Sequence, residues 1–199
     1  MKLNKVVKYL IAFDTSVVAA SGLIAPVFAI FVVNNIVGGS AAVVGFATSI
    51  YMISFSIARL TSAYYVDRKL SERGRVALSV VGALVVGASF LLYVAASRPW
   101  HVYALQAVNG VGTALRYSPI MSLFTRYIDE GRESFEWGLY AVSTSLGQAL
   151  AASVGGTLVD ELGFEAVFVI TGGAIMVSSL ASLALYREIK KVTLASRAL

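Results

Sequence analysis

Three ionisable side chains stand inside long apolar stretches of the sequence: Asp14, Arg59 and Arg116. A charge in the hydrocarbon core of a bilayer costs roughly 2.5–3.5 kcal/mol, so such a residue usually faces a partner or a water-filled cavity. At a helical rise of about 1.5 Å per residue, Asp14 lies about 9 Å beyond Lys8, and Arg116 lies about 15 Å before Arg126. Both residues fall in the same half of the membrane, so the carboxylate and the guanidinium can meet.

The chemistry open to this pair is proton binding by Asp14, with Arg116 as an anion anchor or counter-charge. The alternative is a static ion pair that only holds two helices together, and the sequence leaves both interpretations open. Arg59 lies about 12 Å before Asp67 by the same rule. Its long side chain either lines the same cavity or extends to the aqueous surface.

A polar stripe surrounds Arg116. The spacing of three, four, three and one residues places its members on one face of a helix. They are Gln106, Asn109, Thr113, Arg116 and Tyr117. A polar face on a membrane helix is expected to border a water-filled cavity or other polar helices. The sequence therefore predicts a substrate and proton pathway that these residues share with Asp14 and Arg59.

The composition limits what else the chain can do. Hydrophobic residues make up 58% and charged residues 14% of 199, with no cysteine and one histidine. Thiol chemistry is excluded, and we find no metal cluster, phosphate-binding loop or nucleophile–histidine arrangement, so we expect no enzyme activity, cofactor or metal. The net charge of +5 comes from basic residues scattered between apolar runs, which indicates membrane topology rather than nucleic-acid binding.

Six apolar segments carry these residues, and each is long enough for a membrane helix, which needs about 20 residues. They span residues 6–33, 41–66, 76–96, 100–127, 135–159 and 164–186. We therefore predict an all-α integral membrane protein, one six-helix domain over residues 1–199 in contact with lipid. The first segment contains Asp14 and is too long for a signal peptide, so we interpret it as a retained helix.

Lysine and arginine set the orientation of these segments. With six helices, one side receives Lys2, Lys5, Lys8, Arg68, Lys69, Arg73, Arg75, Arg126, Arg132, Arg187, Lys190, Lys191 and Arg197. The other side has Arg98, together with Asp160, Glu161 and Glu165. The basic side is the cytoplasmic one, so both termini, including a tail at 190–199, are expected in the cytoplasm of a prokaryotic cell.

An internal repeat is visible when the chain is shifted by 93 positions, the distance from Pro26 to Pro119. At that offset Gly38 meets Gly131, and Gly45 meets Gly138. Each unit, about 1–97 and 98–189, holds three predicted helices, and an odd number means that the two units cross the membrane in opposite senses. Inverted repeats of this kind are typical of secondary transporters.

Small residues recur on two predicted helices, where they permit close helix packing. The fifth segment carries Ser143, Gly147, Ala151 and Gly155, and the second carries Gly45 and Ser49. One interpretation is packing within the bundle. The other is a subunit interface with a second copy of the chain.

Three stretches resemble motifs of the major facilitator superfamily. Residues 63–75 resemble its loop motif between the second and third helices, with Ala63 for the usual glycine and extra residues before Gly74. Residues 147–156 resemble its antiporter motif, with Ala151 and Ala152 for the middle Gly-Pro pair. Gln106 stands where many members carry an arginine four residues before a glycine.

The resemblance implies a half-size member, since the family usually has twelve helices in two six-helix halves. It implies that the first and fourth segments line the transport cavity and that the second and fifth face the other half. In this family the loop motif controls the cytoplasmic side, so the implied gate residues are Asp67, Arg68, Arg73 and Arg75.

We therefore expect a secondary active transporter of a small solute, working by alternating access as a homodimer and coupled to protons. Two buried basic residues against one acid favour an anionic or amphipathic solute. The alternatives are a membrane scaffold or assembly protein that reuses the fold without transport, and the amino half of a longer transporter.

Overall fold

The computed structural model describes residues 3–195, and all regular secondary structure in that range is helical. The helices are α1 (Lys5–Gly22), α2 (Phe28–Asn35), α3 (Ala41–Lys69), α4 (Glu72–Leu92), α5 (Pro99–Tyr127) and α6 (Glu133–Ala195), with a 3₁₀ turn at Tyr93–Ala95. Gly163 divides α6, because its φ of 80° and ψ of 166° are not helical. We call residues 133–162 the first arm of α6 and residues 164–195 its second arm.

The six predicted segments correspond to these helices, with one break. The first segment, expected as a single helix, is α1 and α2 separated by a turn that contains Pro26. Proline lacks an N–H and disfavours helical backbone at the residue before it, which explains the break. The fifth and sixth segments are the two arms of α6. Of the predicted tail 190–199, residues 196–199 with Ser196 and Arg197 lie outside the described residues.

Most of the predicted loop between the second and third segments is helical. Asp67 and Arg68 belong to the last turn of α3, and α4 begins at Glu72, so Arg73 and Arg75 are in its first turns. The Ser71 hydroxyl caps α4 by accepting a hydrogen bond from the Gly74 N–H at 3.3 Å. The side chains of this motif are therefore held on two rigid helix ends.

The single histidine forms hydrogen bonds with the backbone at the start of α5. His101 Nδ1 accepts hydrogen bonds from the backbone N–H groups of Ser97 and Arg98, each at 3.2 Å. These donors precede α5, whose first residue is Pro99. The imidazole thus caps the start of α5.

Three stretches of the described chain are long and apolar enough to cross a membrane: Ala41–Lys69, Glu72–Ala95 and Glu133–Ser179. The other long helices carry more polar residues. Lys5, Lys8 and Asp14 lie within the 18 residues of α1, and the polar stripe lies on α5. These two more polar helices are also the ones that supply the buried ion pair described below.

The helices pack in pairs around a common centre. α1 lies against the first arm of α6, α5 lies between α3 and α4, and α4 also contacts α6. Buried aromatic side chains, including Phe13, Phe124 and Phe168, fill the interior. This packing leaves a polar space where α1, α4, α5 and the first arm of α6 approach one another.

The predicted repeat has one backbone counterpart. Gly38 and Gly131, which coincide at the offset of 93, have φ angles of 81° and 77°. Each lies just before the next helix, α3 or α6. A positive φ favours glycine, so these equivalent positions share a conformation as well as a residue type.

Candidate functional site: a buried ion pair at a polar cavity

Asp14 and Arg116 form an ion pair at the centre of the helical bundle. Arg116 Nη1 contacts Asp14 Oδ1, which joins α5 to α1. Asp14 is 0% exposed and Arg116 is 5% exposed. The contact expected from the depths of the two residues is present, and each buried charge has its counter-charge.

Tyr140 completes this site from a third helix. Its hydroxyl, on the first arm of α6, donates a hydrogen bond of 2.6 Å to Asp14 Oδ2. The ring of Tyr140 is buried and lies 5.4 Å from the ring of Phe124, centroid to centroid. The Asp14 carboxylate is therefore held by a cation on one oxygen and a hydroxyl on the other. Sequence reasoning missed Tyr140.

Close packing of α4 on α5 places the Arg116 backbone. A Cβ added at Gly82 of α4 would lie 2.6 Å from the Gly112 carbonyl oxygen of α5, so a larger residue would push the helices apart. Farther along, Asn109 Nδ2 donates a 2.8 Å hydrogen bond to Ser89 Oγ of α4. Contacts with α4 therefore position the polar stripe at Gly112 and at Asn109.

A cavity of about 330 Å³ opens beside Arg116, and we call it the central cavity. Its polar wall consists of Ser21, Gln106, Asn109, Thr113, Arg116 and Gln148. Aromatic residues, among them Phe28, Tyr51, Phe90 and Tyr93, form much of the rest. Four members of the predicted stripe therefore share one cavity, while Asp14 lies buried behind Arg116 and Tyr140. Gln148 was not predicted.

Tyr117 and Arg59 border a different space. They line a cavity of about 440 Å³ with Asp67 and Arg126, which we call the basic-end cavity. The Arg59 guanidinium lies 4.5 Å from the Tyr117 ring centroid and 5.6 Å from that of Phe55. Tyr117 follows Arg116 directly, so it points about 100° away around the helix, which explains why it leaves the stripe.

Two of the four predicted gate residues converge in the structure. Ser122 Oγ donates a hydrogen bond of 3.2 Å to Asp67 Oδ1, and Arg75 Nη1 donates to the same hydroxyl. This link joins the end of α3, the start of α4 and the C-terminal part of α5. The guanidinium of Arg68 lies 4.8 Å from the Tyr64 ring centroid, and that of Arg73 lies 5.8 Å from the Tyr186 ring centroid. These two contacts do not involve Ser122.

The small-residue stripe of the predicted fifth segment faces α1 of the same chain. A Cβ at Gly147 would lie 3.0 Å from Thr15 Cγ2, and one at Gly155 would overlap the Leu23 carbonyl oxygen. Ser143 and Ala151, the other members, are half-buried. In contrast, Gly45 and Ser49 on α3 are exposed, and nothing lies within 4 Å of a Cβ placed at Gly45.

Comparison with known proteins identifies a transporter family. The model of the Major Facilitator Superfamily matches residues 15–198. The chain is 27% identical over 187 residues to the multidrug resistance protein MdtG of Serratia proteamaculans, which covers 94% of this chain and 44% of that protein. It is 26% identical over 143 residues to the methylenomycin A resistance protein of Bacillus subtilis, covering 71% of this chain and 29% of that protein.

A solved structure shares the fold. The POT family transporter PepTSo superimposes with a TM-score of 0.76 at 16% identity, over 92% of this chain and 38% of that one. The chain spans less than half the length of each of these relatives.

Proposed function

The chain belongs to the major facilitator superfamily, a family of integral multi-pass membrane transporters, and from that premise we propose that it forms one six-helix half of a secondary transporter. The observation that carries this proposal is the central cavity, whose polar wall on α5 ends at the Arg116–Asp14 ion pair. The cavity has the size of a small-molecule site, and an ionisable residue inside a membrane domain commonly marks a substrate or proton pathway. The expectation that the chain is not an enzyme agrees with the family.

The six helices of this half are α1 with α2, α3, α4, α5 and the two arms of α6. We propose that they cross the membrane as two inverted repeats, about 1–97 and 98–189, and the shared positive φ of Gly38 and Gly131 supports this. The basic ends of the helices face the cytoplasm of a prokaryotic cell, with both termini on that side.

The solute is small and organic. The relatives are named for multidrug and methylenomycin resistance, which favours export of such molecules. The central cavity offers the amides of Gln106 and Gln148 for hydrogen bonding and the rings of Phe28 and Phe90 for apolar contact. Because Asp14 balances Arg116, and Arg59 lies in the other cavity, the site itself has no net charge and does not require an anion.

Proton coupling would act through Asp14. The ionised carboxylate neutralises Arg116 and accepts the Tyr140 hydrogen bond. A proton on Asp14 removes that negative charge, so the cavity gains one net positive charge from Arg116. A cationic solute is repelled by that positive charge, so the binding of such a solute and of a proton compete, which is the coupling an antiporter needs.

A second six-helix unit is needed to enclose the cavity from the other side, and we propose that a second copy of the chain supplies it. The pairing surface includes Gly45 and Ser49, because this face of α3 is open for close approach. Gly147 and Gly155 serve packing onto α1 instead. The Asp67–Ser122–Arg75 link lies at the cytoplasmic end, where opening and closing of the two units would make and break contacts to Asp67.

Single cysteines test topology and pairing together. At Ser40 and Ser97 they should react with an impermeant thiol reagent from outside, and at Ser71 only from inside. Oxidation of a Gly45→Cys variant in membranes should give a covalent dimer, whereas Val81→Cys, on an exposed face of α4, should not. Labelling of Ser71→Cys from outside would overturn the orientation, and equal crosslinking at both sites would overturn the interface.

A further inference from the structure

A third cavity lies at the opposite end of the bundle from the basic-end cavity. It has a volume of about 400 Å³ and lies between α2, the Tyr93–Ala95 turn and the kink of α6 at Gly163. We call it the outer vestibule. Its wall includes Phe31, Asn35, Phe164, Glu165 and Phe168. None of these residues belongs to the central cavity, so this is a separate space within one six-helix unit.

Tyr93 separates the outer vestibule from the central cavity. Among the described residues, it alone lines both cavities. Its ring is stacked on Phe168, with centroids 5.0 Å apart, and lies edge-on to Phe28 at 5.7 Å. Tyr93 is 1% exposed, and its hydroxyl has no hydrogen-bond partner among the described residues.

An unpartnered buried hydroxyl is costly, at about 1–3 kcal/mol, so its position calls for a physical reason. The hydroxyl belongs to the side chain that borders both cavities in the described part of the chain. A small shift of this side chain toward either cavity would let a ligand there supply the missing partner. The side chain stands on the 3₁₀ turn that ends α4, a common way for an α-helix to terminate.

The chemistry of the outer vestibule indicates the ligand class. The rings of Phe31 and Phe164 are 5.4 Å apart and tilted by 55°, which makes an aromatic corner. Glu165, next in sequence to Phe164, lines the same space with a carboxylate, and Asn35 adds an amide. Aromatic faces attract cations through their ring quadrupole, and a carboxylate adds the counter-charge. A small organic cation that carries both a tertiary or quaternary ammonium group and a hydroxyl matches these features, because the ammonium can meet the rings and the carboxylate while the hydroxyl can partner Tyr93.

We propose that the outer vestibule is a second ligand site that binds small organic cations, and that Tyr93 contacts the bound cation and forms the barrier between this site and the central cavity. The site does not depend on transport, since it is complete within one chain. The volume of about 400 Å³ falls in the range of ligand pockets, about 300–1,000 Å³.

Equilibrium binding to the purified full chain in dodecyl maltoside tests this site. The probes are choline and its neutral isostere 3,3-dimethylbutanol, with affinities measured by calorimetry. Choline should bind at least about tenfold more tightly than the isostere, because only choline has a charge for the rings and the carboxylate. Glu165→Gln should weaken choline binding about tenfold and leave the isostere unchanged. Tyr93→Phe keeps the ring and should weaken binding by a smaller factor.

Matched variants locate the binding. Glu161→Gln removes an exposed acidic residue that does not line the vestibule, and Gln106→Leu alters the central cavity; neither should change choline affinity. Equal affinity for the two probes would overturn the proposal. So would equal losses in Glu161→Gln and Glu165→Gln, which would indicate diffuse surface charge, or a loss in Gln106→Leu, which would place choline in the central cavity. Each of these results leaves the transport proposal standing.

Discussion

Arg116 and Arg59 are both arginines within apolar helices, yet they differ in burial and in the groups that they contact. Arg116 is buried on α5, and the Asp14 carboxylate neutralises it. Arg59 is exposed on α3, and its contacts are the rings of Tyr117 and Phe55 in the basic-end cavity. Depth along a helix therefore does not determine the role of a membrane arginine. Its role depends on the helix face that carries it and on the group that it contacts.

The largest effect is expected from Asp14→Asn, because it leaves the Arg116 charge buried without its partner. Breaking a buried pair on one side typically costs about 3–5 kcal/mol, whereas removing both charges is often nearly neutral. The free energy of unfolding in mixed micelles should therefore fall sharply in Asp14→Asn and recover in the double variant with Arg116→Gln. If the double variant is no more stable than the single one, the two residues are not coupled and the comparison fails.

A smaller loss is expected from Tyr140→Phe. The ring stays in place, and only the hydrogen bond to the Asp14 carboxylate is removed, a kind of bond worth about 1.5–3 kcal/mol. The same unfolding assay measures it, with Tyr9→Phe as the control at an exposed tyrosine. If the variant matched the wild type, Asp14 would be held by Arg116 alone.

Ser122→Ala tests the basic-end cavity, where the hydrogen bond between Ser122 and Asp67 is exposed to water. It removes the hydroxyl that joins Asp67 to Arg75, and we expect a loss of about 0.5–1.5 kcal/mol in unfolding free energy. Ser56→Ala is the matched control, because that hydroxyl bonds only to the backbone of its own helix. A loss as large as that of Asp14→Asn would make the two ends equally dependent on charge and would remove the contrast.

The smallest effect is expected from Arg59→Gln. An exposed cation over an aromatic ring contributes roughly 0.5–1 kcal/mol, so stability should change by no more than about that amount. Arg116→Gln, measured alongside, should be far more destabilising because it leaves the Asp14 carboxylate buried without a counter-charge. Equal losses would show that the two arginines are equivalent after all.

The ion pair could be predicted from the sequence because a charge in an apolar helix is rare and depth follows from counting residues. Tyr140 and Gln148 could not be found that way. Tyrosine and glutamine are unexceptional in a membrane helix, and they matter only because the first arm of α6 packs on α1. That packing became visible with the fold, through the contacts of Gly147 and Gly155 with α1.

The helix boundaries, too, could be predicted from the sequence only in part. The helical character of the six segments was predictable, since each one corresponds to helical structure, whereas three stretches of the described chain are long and apolar enough to cross a membrane. The local effect of proline was not predictable, because Pro26 breaks the first segment while Pro119 lies inside α5. α5 runs through its proline while packed on both sides, by α3 and α4, and that support comes from the tertiary structure.

We propose that Asp14 changes protonation during transport, so that its contact with Arg116 is not a static link. The most direct test is proton movement in proteoliposomes with an internal pH dye, after addition of ethidium as the probe solute. Internal pH should change with the wild-type chain and with Arg59→Gln, and should not change with folded Asp14→Asn reconstituted in equal amount. Proton movement by Asp14→Asn at the wild-type rate per folded molecule would contradict this proposal.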